Sequence, residues 1–303
     1  MNFNKRKYWK GVIYAFITSF LWGLLPVLLE FALKVFSAGT IVWFRFIFAF
    51  FFLFLILSFQ DNKPNKILFQ PPLLGILAGV SLAANYLYFI LGIQSNGPTN
   101  AAILMQLAPV LVVLTGIIVF KERLQKSQTT GLFVATIGFL FFYWEKTQHS
   151  LDFDSYAARN NYLYFAAVVW ALFAFLLKKL SSQYPAQTLN LLIFGVASLA
   201  LTSGVHWESF THARFEDWIL LVILGLNTLI AYGSLSEAIR LIPLSLTTVI
   251  TTINPLFTLI TTFMINTFQP QWLRQDSIGV VGYLGGLIII LGVALIVYKP
   301  IRS

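Results

Sequence analysis

Ten apolar runs, each bounded by charged or turn-forming residues, divide this 303-residue chain. They extend over about Gly11–Phe31, Thr40–Phe59, Leu73–Ile93, Thr99–Phe120, Thr130–Trp144, Asn161–Leu177, Ala186–Leu201, Trp218–Ile239, Ser245–Phe268 and Ser277–Tyr298, the fifth and seventh being the shortest. A helix crossing the bilayer hydrocarbon needs ~20 mostly apolar residues, and a backbone in lipid must satisfy its own hydrogen bonds. No run alternates as a barrel strand does, so each reads as a spanning helix. Composition agrees, since 10% charged residues and a mean hydropathy of +0.80 leave too little polar surface for a soluble domain. A soluble enzyme and a disordered chain are thereby excluded. The absence of cysteine excludes disulfides, thiolate catalysis and Cys-ligated zinc. The first run is too long for a signal-peptide core, and Phe36-Ser37-Ala38 is no small-x-small cleavage site, so it is expected to be retained.

The loops set an orientation. With the N-terminus inside, 14 Lys/Arg fall in inner segments (Lys5, Arg6, Lys7, Lys10, Lys63, Lys66, Lys121, Arg123, Lys126, Lys178, Lys179, Arg240, Lys299, Arg302). Only 5 fall in outer segments (Lys34, Lys146, Arg159, Arg214, Arg274), and Arg45 lies within a span. This positive-inside split predicts that both termini are cytoplasmic. It also accounts for the net charge of +9, so nucleic acid is not an expected partner.

The two halves resemble one another. Tyr86 matches Tyr232 and Pro109 matches Pro255 at an offset of 146; Trp22 matches Trp170, Gly131 matches Gly279 and Gly138 matches Gly286 at 148. Residues 1–150 and 151–303 therefore read as two repeats of five spans each. Five is odd, so the second repeat is inverted in the membrane, the arrangement of secondary transporters that bind cargo at the repeat interface. The basic loop Lys121–Lys126 has a nearly uncharged counterpart at Phe268–Arg274, as opposite sidedness demands.

Trp22-Gly23 with Pro26, Arg45, the stretch Tyr86…Pro109…Glu122 and its echo Tyr232…Pro255 together resemble the EamA family of the drug/metabolite transporter superfamily over nearly the whole chain. The second repeat departs from the pattern. It has no glutamate where Glu122 maps, and Leu192 stands near the counterpart of Arg45. The resemblance implies ten helices around a central cavity, and export or exchange of small metabolites, often amino acids.

Several residues are candidates for the site. Pro109 and Pro255 lie near the bilayer centre, where a proline bends the helix and frees carbonyls for a polar cavity; hinge and static kink are both open. Thr247, Thr251, Asn254, Thr258 and Thr261 form one stripe down the ninth span, read as cavity lining against the alternative of back-bonding threonines. Asn227, Ala231 and Ser234 form a weaker stripe in the eighth span; Asn85 and Tyr88 in the third and Gln106 before Pro109 add polar groups. Trp22 and Trp170 fall near mid-membrane rather than at the interfaces that anchoring tryptophans prefer. Tyr86 and Tyr232 lie on opposite sides of the midplane, one for each of two gates, and most of the 30 phenylalanines are expected to face lipid. Arg45 is placed to attract a carboxylate or to pair with a structural partner such as Glu30. Glu237 beside Arg240 reads as an interfacial ion pair. No Asp or Glu falls at a span centre, which argues against the proton-coupled mechanism of small multidrug antiporters.

His149, His206 and His212 fall in outer loops without zinc-protease spacing, so no metal is expected. No phosphate-cradling loop or nucleophile elbow appears, and no cofactor is implied. Gly282 with Gly286, and Gly131 with Ala135, read as helix-packing faces. The sequence thus predicts an all-α membrane protein moving a small neutral or zwitterionic metabolite, with Trp22, Asn85, Tyr86, Gln106, Trp170, Tyr232, Thr251 and Asn254 as binding residues. A sugar, nucleotide-sugar or drug carrier is the alternative. A membrane enzyme would need a cluster of His, Asp or Glu at one face, and none is visible. The lipid bilayer is the expected environment, and a homodimer is compatible with the sequence.

Overall fold

The computed structural model describes residues 5–59, 65–120, 126–148, 153–181, 183–242, 247, 250–269, 271–272 and 279–297. Every regular element among them is helical. In chain order they are α1 (Lys5–Ala32), α2 (Ala38–Phe59), the short α3 (Asn65–Phe69), α4 (Leu73–Asn96), α5 (Pro98–Leu104), α6 (Leu107–Phe120) and α7 (Lys126–Gln148). Then follow α8 (Phe153–Leu180), α9 (Ala186–Leu201), the short α10 (Glu208–His212), α11 (Phe215–Leu241), α12 (Asn254–Phe268) and α13 (Val280–Val297). Six helices among the described residues are long and apolar enough to cross a bilayer, at 6–32, 38–59, 73–96, 160–180, 186–204 and 215–241. Shorter apolar helices occupy 98–112, 129–145 and 280–295. Phe51, Phe133, Leu199, Phe263 and Leu291 are all more than half exposed, an apolar exterior that only lipid would cover. The chain is a multi-pass membrane protein.

The expected fourth and ninth spans are not continuous. The fourth is split into α5 and α6 by turns at Met105 and Gln106; in the ninth, helical Ile250 and Thr251 are separated from α12 by turns at Thr252 and Ile253. The cause is the proline that follows. Pro109 and Pro255 have no N–H for the carbonyls of Met105 and Thr251, four residues earlier. The Met105 carbonyl instead accepts the Ala108 N–H at 3.0 Å, and the Thr251 carbonyl accepts the Ser19 hydroxyl at 3.5 Å. Both freed carbonyls, expected to face a polar cavity, are thus taken up by protein groups. Glu122 and His149 lie outside the described residues. The fifth span is longer than expected, because polar residues at both ends of α7 continue the helix.

Two pairs of equivalent helices, α2 with α9 and α7 with α13, run in opposite directions along their contact. Along α2 and α9, Gly39 lies against Gly204, Phe46 against Phe194 and Phe50 against Gly195. Along α7 and α13, Ala135 meets Gly292, Gly138 meets Ile289 and Phe142 meets Gly285. A Cβ on Gly138 would lie 2.6 Å from the Ile289 nitrogen, so this pair approaches backbone to backbone. Of the predicted packing residues, Ala135 works here, whereas Gly286 faces Ile103 of α5.

Cross-repeat clasps hold the remaining helices. The Thr18 hydroxyl of α1 donates to the Ala231 carbonyl of α11 at 3.1 Å, and the Asn85 amide of α4 donates to the Ala166 carbonyl of α8 at 2.8 Å. Residues 18 and 166 are repeat equivalents at offset 148, as are 85 and 231 at 146. The same junction is therefore closed twice, with the donor on the opposite partner. A third clasp joins the Asn227 amide to the Leu21 carbonyl at 2.8 Å. At one end of the bundle Gly97 turns α4 into α5 with φ 81°, a conformation a side chain would strain. Asn96 and Asn100 on either side of it both donate to the Asn160 Oδ1 at 3.0 Å.

Candidate functional site

The middle of the molecule is built from residues that meet their own repeat equivalents. The indoles of Trp22 (α1) and Trp170 (α8) stand edge to face, with centroids 6.0 Å apart. The rings of Phe46 (α2) and Phe194 (α9) stack at 5.8 Å, and the Tyr86 (α4) and Tyr232 (α11) hydroxyls lie 3.3 Å apart. Phe46 packs edge-on against Tyr86 at 5.4 Å, and Phe194 packs edge-on against Tyr232 at the same distance. Gln106 donates its amide to the Asn254 Oδ1 at 3.3 Å, joining the two helix breaks. Only residues near a two-fold axis can touch their own equivalents, so the tryptophan, phenylalanine and tyrosine pairs mark where that axis passes.

The assignment of Tyr86 and Tyr232 to two separate gates is corrected by this geometry. Both tyrosines reach inward from their helices and close on one another at a single place. Both are nearly fully buried, whereas Trp22, Trp170 and Asn254 are half-buried. Trp22 also touches Tyr232, with centroids 5.8 Å apart, which links the indole pair to the phenol pair.

The polar stripe of the ninth span turns toward α1. The Thr258 hydroxyl donates to the Gly23 carbonyl at 2.6 Å instead of bonding back to its own helix. Gly23 permits this approach, since a Cβ there would lie 2.5 Å from the Asn254 carbonyl oxygen. Thr247 and Thr251 are buried, and Thr261 is half-buried. Asn85 serves the α4–α8 clasp, Asn227 the clasp to α1, and Tyr88 packs against Tyr162 and Phe165 away from the axis. Glu237 forms the expected ion pair with Arg240 at 2.6 Å near the end of α11.

Arg45 is 1% exposed. It stands on the inward stripe of α2 (Ala38, Ile41, Val42, Arg45, Phe46, Ala49, Leu53), where helical spacing leaves it no route to solvent. Its Nε donates to the Thr228 hydroxyl at 3.1 Å, while that hydroxyl donates to the Leu224 carbonyl at 3.0 Å. The guanidinium carbon lies 4.6 Å from the Tyr86 ring centroid. Its partners among the described residues include a hydroxyl and an aromatic face.

Phe46, Phe194 and Thr228 are site residues that the sequence reading passed over. Phe46 and Phe194 share the offset of 148 with the tryptophan pair, but Phe120 and the 73% exposed Phe268 share it too, so the offset alone does not single them out.

Residues 9–144 and 161–298 each match the model of the EamA-like transporter family. The chain belongs to that family. It is 28% identical over 292 residues to an uncharacterised transporter of Haemophilus influenzae, covering 94% of both chains. It is 27% identical over 288 residues to the uncharacterised inner membrane transporter YhbE of Escherichia coli, covering 93% of this chain and 89% of that one. A solved crystal structure superposes with a TM-score of 0.65 over 95% of this chain and 97% of the other; at 14% identity it shows the shared fold. This protein is a membrane transporter of the EamA family, and the relatives' names are those of transporters rather than enzymes.

Proposed function

We propose that this transporter is a secondary carrier of small neutral or zwitterionic metabolites, amino acids first among them. It spans the cytoplasmic membrane ten times with both termini inside and works by alternating access, in export or exchange. The observation that carries this reading is the meeting of repeat equivalents at the centre, flanked by two helix breaks. A structure whose halves are related by a two-fold has a mirror alternative, in which each half adopts its partner's conformation and the centre opens to the other side. The pairs Trp22–Trp170, Tyr86–Tyr232 and Gln106–Asn254 are the contacts that must part, and the breaks before Pro109 and Pro255 supply the bending points. Indole faces accept an apolar body, while amide and hydroxyl groups take a polar end.

The test is a metabolite comparison between medium and cytoplasm of cells overproducing the protein, against cells producing a Trp22→Ala, Trp170→Ala double variant. Accumulation of one or a few small metabolites outside, lost in the variant, is expected. Efflux of quaternary ammonium compounds that depends on Glu237 and not on the tryptophans would favour a drug carrier.

A further inference from the structure

We propose that Arg45 is the docking point for a carboxylate on the cargo, which makes carboxylate-bearing metabolites the substrate class; this rests on the carrier reading above. A guanidinium carries five N–H donors in a planar fork and stays charged at any physiological pH. Here one of the five is used, by Thr228. Nη1 and Nη2 are buried and have no hydrogen-bond partner among the described residues. Buried charges in proteins are paired, because an uncompensated one carries a heavy desolvation penalty, and this holds all the more within a membrane. The Tyr86 ring face offsets part of that penalty. It supplies no anionic acceptor, and Nη1 and Nη2 remain without a hydrogen-bond partner among the described residues.

The missing partner belongs to something that comes and goes. The fork stands beside the Tyr86–Tyr232 hydroxyl pair, which Trp22 joins to the indole pair. A carboxylate arriving there receives two parallel N–H donors from the guanidinium and lies within reach of phenol donors once the tyrosine contact parts. At the helix breaks, the Gln106 Oε1 is a second buried polar atom without a partner among the described residues. It is an acceptor, suited to an N–H or O–H group at the other end of the cargo. The repeat places Ile193 opposite Arg45 by the register of Phe46 on Phe194, so the charge is present once, as a single cargo carboxylate requires. Arg45 selects against amines that carry no carboxylate, which would meet a fixed positive charge, while the Gln106 acceptor suits the amine of a zwitterion.

The experiment uses the purified full-length protein in detergent, with its melting temperature read against the twenty standard amino acids and their C-terminal amides. At least one acid is expected to stabilise the protein at about tenfold lower concentration than its amide, the size of a charge-assisted pair. In Arg45→Gln that ratio collapses toward one, and Arg45→Lys restores only part of it, since an ammonium lacks the fork. Amides equal to acids, a ratio unchanged in Arg45→Gln, or no stabilisation by any carboxylate would each overturn the proposal. Should Arg45→Gln not fold, the acid-to-amide ratio of the unaltered protein decides alone. Vesicle flux separates the two readings. Protein-dependent flux of amides matching that of acids keeps the carrier and removes the carboxylate site, whereas no flux of any compound removes the carrier reading itself.

Discussion

The two repeats keep the same architecture and have parted in chemistry. Helix breaks precede Pro109 and Pro255 alike, and the aromatic pairs are doubled almost ring for ring. Between the Gln106 break and Phe120, however, α6 offers a single hydroxyl, Thr115, which bonds back to the Leu111 carbonyl at 2.8 Å. The corresponding α12 carries Asn254, Thr258, Thr261, Thr262, Asn266 and Thr267. Arg45 faces the centre from α2, and Ile193 takes its place on α9. Under the alternating-access proposal, an inverted duplication must preserve what bends and packs, because both conformations would use those parts in turn. Groups that recognise cargo need be present only once, so they are free to settle in one half.

The largest test of the shared architecture is the glycine contact of α7 and α13. Gly138→Val puts a Cβ 2.6 Å from one backbone atom and 2.8 Å from another, and should cost about 1–3 kcal/mol or prevent accumulation of folded protein. Gly233→Ala, with nothing within 4 Å, should leave the melting temperature unchanged. Equal tolerance of both would mean that the two fifth spans do not touch.

The chemical asymmetry is sharpened by a matched pair. Thr258→Val removes a bond between helices and should cost about 1 kcal/mol, while Thr115→Val removes a bond within one helix and should cost close to nothing. Thermal denaturation in detergent reads both. Equal losses would make α6 and α12 energetically alike.

A smaller effect probes the axis itself. Tyr86→Phe and Tyr232→Phe delete opposite ends of one contact, so each should cost about 0.5–1 kcal/mol and the double variant no more than either alone. Additive losses would place the two hydroxyls in separate environments.

The fold was legible because a membrane span is written in length and hydropathy, and because the duplication leaves Trp22, Tyr86 and Pro109 with visible twins. The rotation of each helix about its own axis was not. Phe46 has the same side chain as Phe51, five residues on, yet one stacks on its repeat equivalent and the other is 54% exposed. That difference is set by partners such as Phe194, 148 positions away, which no local pattern announces. The tyrosines misled for a related reason. Position along the span suggested two separate places, but two long phenol side chains that both lean toward the axis meet at one. Arg45 was visible as a buried charge, whereas its partner Thr228, 183 residues distant, was not.

The central claim is that the two helix breaks meet at the middle and must separate for cargo to pass. The chain has no cysteine of its own, so Gln106→Cys with Asn254→Cys places the only two thiols where the side chains now lie 3.3 Å apart. A short bifunctional thiol reagent should join them within one chain and stop the transport found in the metabolite comparison, and a reducible linker should give it back on reduction. Failure to cross-link, or full transport by the cross-linked protein, would contradict the account.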